Sequence, residues 1–204
     1  MTEARVNRDG GAVQPGGRQD EGVPTYISLL RALNVGGRFY RMADLRGHLE
    51  ESGLEDVETY IQTGNVRFRS GLRSAAKVER HVEAVLGEHC GFEVPSIIFT
   101  PRELRQVHED ARGIAPPPFA SGDGQRRYVT FYKAGDAPTG EVAERIGAWA
   151  EPGESAVVIG RATHIWLGHP MMEARFFGAF RKALAPGTNR DLKVVAALDA
   201  RWGA

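Results

Sequence analysis

Two short stretches of this sequence carry the side chains and backbone best suited to hold a ligand. Asn34-Val35-Gly36-Gly37-Arg38 follows an apolar run, and Gln62-Thr63-Gly64-Asn65 separates two others. Paired glycines just ahead of a helix expose backbone N–H groups, a geometry able to receive an anion. The second stretch brings amide and hydroxyl side chains. Arg31 is a cation inside an otherwise apolar run, and a charge there needs a carboxylate, carbonyls or a bound anion. Arg31, Asn34, Gly36, Gly37, Arg38, Gln62, Thr63, Gly64 and Asn65 therefore form the candidate ligand-binding set. In it Gly36 and Gly37 supply donors, Arg31 and Arg38 supply charge, and Gln62, Thr63 and Asn65 orient the ligand. The plainer alternative is ordinary turn chemistry: Gly36-Gly37 as a tight turn, Gly64-Asn65 as a hairpin turn, and Arg31 paired with Glu58 or another acid. The first stretch is neither a Walker A motif, which needs Gly-Lys-Ser/Thr, nor a dinucleotide fingerprint.

Other polar clusters carry less. His81 and His89 share a helix with Cys90, but the spacing is not that of a closed zinc site and Cys90 is the only cysteine, so no metal is expected. His108-Glu109-Asp110 lacks the second histidine of the zincin pattern and reads as a solvated helix face. His164 alternates with Ile165 and Leu167, which reads as an exposed sheet position, and His169 lies just beyond. No Gly-x-Ser-x-Gly elbow occurs, and no cysteine–histidine pairing stands out. The reading therefore leans away from an enzyme, names no catalytic residue and expects no cofactor.

The elements that would position the two loops follow from periodicity. Tyr26 to Leu33 is a nearly continuous apolar run, as in a central strand covered on both faces. Met42, Leu45 and Leu49 recur at helical spacing. Val57 to Gln62 and Val66 to Arg69 form a hairpin around Gly64-Asn65. Val78, Val82, Val85 and Leu86 mark a second helix, and Val94 to Phe99 a strand that Pro95 confines to a sheet edge. Thr100-Pro101-Arg102-Glu103 reads as a capping box opening a helix through about Ala111. The order so far is β-α-β-β-α-β. In that arrangement the first strand ends beside the hairpin, so both candidate loops share one rim of the sheet.

Gly113 to Gly124, with Pro116, Pro117 and Pro118 in series, reads as a linker. The order then resumes. Tyr128 to Tyr132 is a strand, and Val142, Ile146 and Trp149 share a helix face. Ala156 to Ile159 and Thr163 to Leu167 form a hairpin about Gly160-Arg161. A helix follows through Phe176, Phe177, Phe180 and Leu184. Asn189 to Trp202, with Leu192, Val195, Leu198 and Trp202 on one face, is expected as a final helix in place of a closing strand. The fold class is α+β, as tandem ferredoxin-like units: βαββαβ, then βαββα with a C-terminal helix. The expected divisions are a disordered tail over 1–23, a first unit with its linking helix over 24–112, a linker over 113–125 and a second unit over 126–204.

Composition narrows the function classes. Among 204 residues, 26 Lys and Arg balance 26 Asp and Glu, so the basic excess typical of duplex nucleic-acid binders is missing. The lone cysteine fits a reducing, cytoplasmic setting. No apolar run is long enough for a bilayer, and residues 1–22 lack the apolar core of a signal peptide.

The blocks Leu30 to Gly37, Met42, Leu45-Arg46, Val57 and Thr59 to Val66 with Phe68 resemble the bacterial family catalogued as domain of unknown function 1697 (DUF1697). The second half is similar more loosely, through Val129 to Phe131, Gly160-Arg161 and Gly187-Thr188 with Arg190. The family has Arg-Gly where this chain has Arg31-Ala32, Ser in place of Thr63, and Arg-Asn-Trp where this chain has Arg190-Asp191-Leu192. The resemblance implies tandem ferredoxin-like halves. It implies no activity, cofactor or catalytic residue.

Ranked by these features, the first function is a binding module for a small anionic or nucleotide-like ligand at the 34–38 and 62–65 loops. A protein–protein interaction or homodimerisation module comes second. A weak nucleic-acid binder, using Arg67, Arg69 and Tyr60 on a sheet face, comes third, and an enzyme of unrecognised type last.

Overall fold

The computed structural model describes residues 22–34, 36, 39–120 and 125–203. Most of the expected tail, residues 121–124 of the expected linker, and Gly37 and Arg38 of the candidate site lie outside these residues. The first half contains β1 (Thr25–Leu30), α1 (Met42–Glu51), β2 (Glu55–Tyr60), β3 (Asn65–Arg69), α2 (Ala75–Cys90) and β4 (Ser96–Phe99). α3 (Pro101–Gly113) leads to β5 (Arg126–Phe131), α4 (Gly140–Gly147), β6 (Glu154–Ile159) and β7 (Ala162–Leu167). A 3₁₀ turn (Met171–Glu173) precedes α5 (Phe176–Ala179), α6 (Arg181–Leu184), β8 (Thr188–Asp191) and α7 (Leu192–Trp202).

Two four-stranded sheets result, in the orders β2-β3-β1-β4 and β6-β7-β5-β8, and the recorded strand pairings are antiparallel. β1 sits inside its sheet, which is why its sequence is apolar on both faces. Tyr26 and Leu30 point to a core under α1 and α2, and Ile27 and Leu29 to a core on the opposite side. Leu45 and Leu49 on α1, and Val78, Val82 and Leu86 on α2, bury one helical stripe each. The second core is shared by the sheets. Ile27, Leu29, Ile97 and Phe99 of the first meet Val129, Phe131 and Ala162 of the second, with Leu104 and Val107 of α3 and Val195, Leu198 and Trp202 of α7. Phe99 and Phe131 touch edge-to-face at 5.3 Å between ring centroids. A third core lies under α4 and the short helices, around Ile146, Ile165, Phe176 and Phe180.

The expected capping box is present. The Thr100 side chain accepts from the Glu103 amide, and the Glu103 carboxylate accepts from the Thr100 amide at 2.7 Å. β4 is an edge strand, as Pro95 required, although Pro95 stands just before its first residue.

Four expectations are corrected. β1 ends at Leu30 instead of running to Leu33, because Ala32 turns out of the strand at φ 57°. Arg31 is thus past the strand end. The second half does have a closing strand: β8 pairs with β5 from Tyr128↔Asp191 to Phe131↔Thr188. Its sequence, Thr-Asn-Arg-Asp, holds no apolar residue, so periodicity could not signal it. The helix expected across Phe176 to Leu184 divides at Phe180 into two four-residue pieces. Finally, His164 is not exposed: it faces the shared core and is 2% accessible.

Candidate functional site

The end of β1 and the β2–β3 hairpin meet at one rim of the first sheet. The Leu30 amide donates to the Gly64 carbonyl at 2.8 Å, and the Asn34 side-chain amide donates to the Gln62 carbonyl at 3.0 Å. Gly64 is required there. Its φ is +76°, and an added Cβ would lie 2.8 Å from Leu30 Cβ. Ile61, in the same turn, holds φ 49°, an outlying conformation for a β-branched residue.

Three predicted residues act within this scaffold. Asn34 closes its loop, with Oδ1 accepting from the Tyr40 amide at 2.5 Å and Nδ2 donating to the Tyr40 carbonyl at 3.1 Å. Asn65 is fully buried, and its amide donates to the Tyr60 carbonyl and to Thr63 Oγ1. Thr63 accepts that bond from an exposed position. Gln62 is exposed, and Gly36 sits exposed at φ 60° with open space around it. Arg31 does not pair with Glu58. It donates to the Ala185 carbonyl, reaching across to the approach to β8, while Glu58 takes Arg67 at 3.0 Å and Trp202 Nε1 at 3.0 Å.

Arg190 on β8 is the component that the candidate set lacked. It is 8% accessible, and its guanidinium binds the first sheet's rim. Nε donates to Asn65 Oδ1 at 2.7 Å, and Nη2 donates to the Leu30 and Thr63 carbonyls at 2.9 Å each. Nη1 donates to Thr188 Oγ1 at 2.8 Å and to the Asn189 carbonyl at 2.9 Å. Every acceptor is neutral. Burial pulls the Arg190 pKa down to about 10, still leaving the group charged at neutral pH. Gly187 lets β8 approach β5: an added Cβ would lie 2.5 Å from Thr130 Cγ2 and 2.8 Å from the Phe131 carbonyl oxygen. A sequence signal for Arg190 existed in Gly187-Thr188 followed by an arginine, but an all-polar segment reads as a loop.

Between these groups lies a concavity of about 430 Å³, lined by Arg31, Ala32, Leu33, Asn34, Thr63 and the β8 segment Gly187–Asp191 with Arg190 on its wall. It is chemically mixed: two guanidinium groups, hydroxyls and amides, and the Asp191 carboxylate, which caps α7 by accepting from the Lys193 amide at 2.8 Å. Among the described residues, neither Arg31 nor Arg190 has a carboxylate within ion-pair distance. That leaves net positive charge at the wall, partly removed from water.

The other candidates take separate partners. His81 contacts Ser52 Oγ at 3.0 Å, while His89 stacks on His48 with 3.7 Å between centroids. His108 pairs with Asp199 at 2.6 Å and His169 with Glu154 at 3.3 Å. Arg67 and Arg69, which would have faced a nucleic acid, pair with Glu58, Glu55 and Asp56. No helix among the described residues is long and apolar enough to cross a membrane.

A family model described as protein of unknown function (DUF1697) matches residues 23–164, a span that stops short of β8. No curated protein matches the chain. A solved structure, described as that of conserved bacterial protein SP0830 from Streptococcus pneumoniae, is 22% identical with a TM-score of 0.66. The likeness covers 90% of this chain and 100% of that one. At that identity it is a likeness of fold.

Proposed function

The chain belongs to the DUF1697 family, and on that footing we propose that it is a binding module for a small anionic or nucleotide-like ligand seated in the rim concavity. One observation carries the reading: Arg31 and Arg190 line the same concavity without a carboxylate partner among the described residues. A buried cation whose bonds all go to neutral oxygens keeps an uncompensated field, and that field favours an anion beside it. Arg190 is saturated by protein acceptors, so it contributes charge and rigidity. Arg31, with one carbonyl partner, contributes donors. Thr63 and Gln62, exposed at the turn, orient the ligand. Gly37 and Arg38 remain part of the proposed site on sequence grounds.

In this reading each half is a ferredoxin-like unit, 24–112 and 126–204. The support is the element order with strand orders β2-β3-β1-β4 and β6-β7-β5-β8. The protein works in the bacterial cytoplasm. The ion pairs on Arg67 and Arg69 weigh against a nucleic-acid face. A homodimer is the second reading, favoured by Phe39 and Ile61, which are 68% and 44% accessible on the rim loops.

A thermal-shift screen tests the first reading, using nucleotides, phosphorylated metabolites, simple carboxylates and short oligonucleotides. A ligand at a hundred times its dissociation constant adds about 2.7 kcal/mol, or roughly 5–10 °C in a chain of this size. The Arg31→Ala variant should fold and lose the shift. If no anion stabilises the wild type, the reading fails.

A further inference from the structure

The loop leaving β1 has an unusual backbone. Ala32 and Asn34 hold φ of 57° and 56°, Arg31 before them and Leu33 between them are not among the positive-φ residues, and Gly36 returns to 60°. Alternation of right- and left-handed residues is the backbone pattern of a nest, a concavity of successive N–H groups that receives an anion. The donors are available. Among the described residues no acceptor is recorded for the amides of Ala32, Leu33 or Asn34, whereas the Leu30 and Arg31 amides just before them are bonded to the Gly64 and Pro95 carbonyls. Leu33 packs its side chain into the first core, which fixes the backbone of this loop. The same three residues border the rim concavity that Arg31 and Arg190 line.

We propose that the 32–34 backbone is the seat of a phosphoryl group, held by three successive amides and covered by the Arg31 guanidinium. The proposal rests on the anionic-ligand reading and narrows it. Successive amides on one side with a guanidinium over them suit an anion with three terminal oxygens better than a planar carboxylate with two. The Arg190 charge behind the rim favours the dianion without touching it. Ala32 holds a left-handed conformation that is unfavourable for an L-residue and that glycine adopts freely. The nest thus depends on a strained position, as binding loops often do.

The test is an amide-resolved NMR titration of the full ¹⁵N-labelled chain with sodium pyrophosphate, against acetate at matched ionic strength. Saturable shifts at Ala32, Leu33 and Asn34, larger than elsewhere and missing with acetate, are expected. Ala32→Gly should bind pyrophosphate at least as tightly as the wild type, and Ala32→Val, whose branched side chain disfavours positive φ, about tenfold more weakly. Parallel titrations with ADP and ribose 5-phosphate separate a nucleotide from another phosphorylated metabolite, through which of them binds more tightly than pyrophosphate. If pyrophosphate shifts Thr188 to Asp191 but not the three amides, the nest is overturned while the anionic-ligand reading stands. Equal responses to acetate and pyrophosphate overturn the phosphoryl assignment alone. If none of the four compounds moves any resonance around the concavity, both readings fall.

Discussion

Arg190 Nε donates to Asn65 Oδ1 at 2.7 Å, joining the last strand of the second sheet to the hairpin of the first. Asn65 is held in turn by Tyr60 and Thr63, so the guanidinium grips a turn whose shape is already set. A lysine has three donors on one nitrogen and cannot reach this spread of acceptors. Arg190→Lys should therefore destabilise the fold by about 2 kcal/mol, and Arg190→Met, which leaves buried carbonyls unpaired, by on the order of 3 kcal/mol. Urea denaturation reads both, and a loss under about 1 kcal/mol for the methionine variant would show that the grip is ornamental.

Gly64→Ala combines two penalties at one atom. Positive φ costs an alanine about 1–2 kcal/mol, and the new Cβ would lie 2.8 Å from Leu30 Cβ. A destabilisation of about 3 kcal/mol is expected from strain and overpacking together. Gly36→Ala, with φ 60° and open space, should show only the conformational part. Equal losses at the two positions would contradict the close approach at Gly64.

His164 gives the fold a pH dependence. Both ring nitrogens are buried without a partner among the described residues, and desolvation lowers the pKa to about 4, with nearby Arg127 acting in the same direction and Asp110 opposing. The folded state favours the neutral ring, so the unfolded chain binds the extra proton. The contribution is fully present above pH 6.5 and lost as pH falls from 6.5 towards 4, by on the order of 3 kcal/mol in all. His164→Phe should remove this slope and leave stability at pH 7 unchanged or higher, since no satisfied bond is broken. Denaturation at pH 5 and pH 8 decides it; an unaltered slope in the variant would assign the effect elsewhere.

The capping box of α3 gives a smaller, cleaner number. Thr100→Ala removes the acceptor for the Glu103 amide. The cost should be about 1 kcal/mol, with no effect on anion binding at the distant rim.

How much was legible depended on whether a signal was local. The continuous apolar β1, the hairpin around Gly64-Asn65 and the Thr100–Glu103 box each lie within a few residues and were readable. So was the meeting of the two rim loops, which follows from strand order. Three features escaped because their causes are distant. β8 is a strand only because the β5 edge accepts it, and its own residues are polar. His164 alternates with apolar neighbours as an exposed residue would, but α3, α7 and the first sheet cover that face. Arg31 read as a charge in need of a carboxylate, carbonyls or an anion, but which one was not legible, because the carbonyl it takes belongs to Ala185, 154 positions away.

The apolar layer between the sheets has a consequence for how this chain can be inherited. Ile27, Leu29, Ile97 and Phe99 share their core with Leu104 and Val107 of α3, and with Phe131, Val129 and the α7 side chains from beyond residue 120. Severed near residue 120, each fragment would show water the part of this core that the other half covers, an apolar patch of the kind that drives aggregation. Two halves of matching element order therefore cannot be shuffled as independent modules. A gene that loses either one must find a replacement lid in the same step.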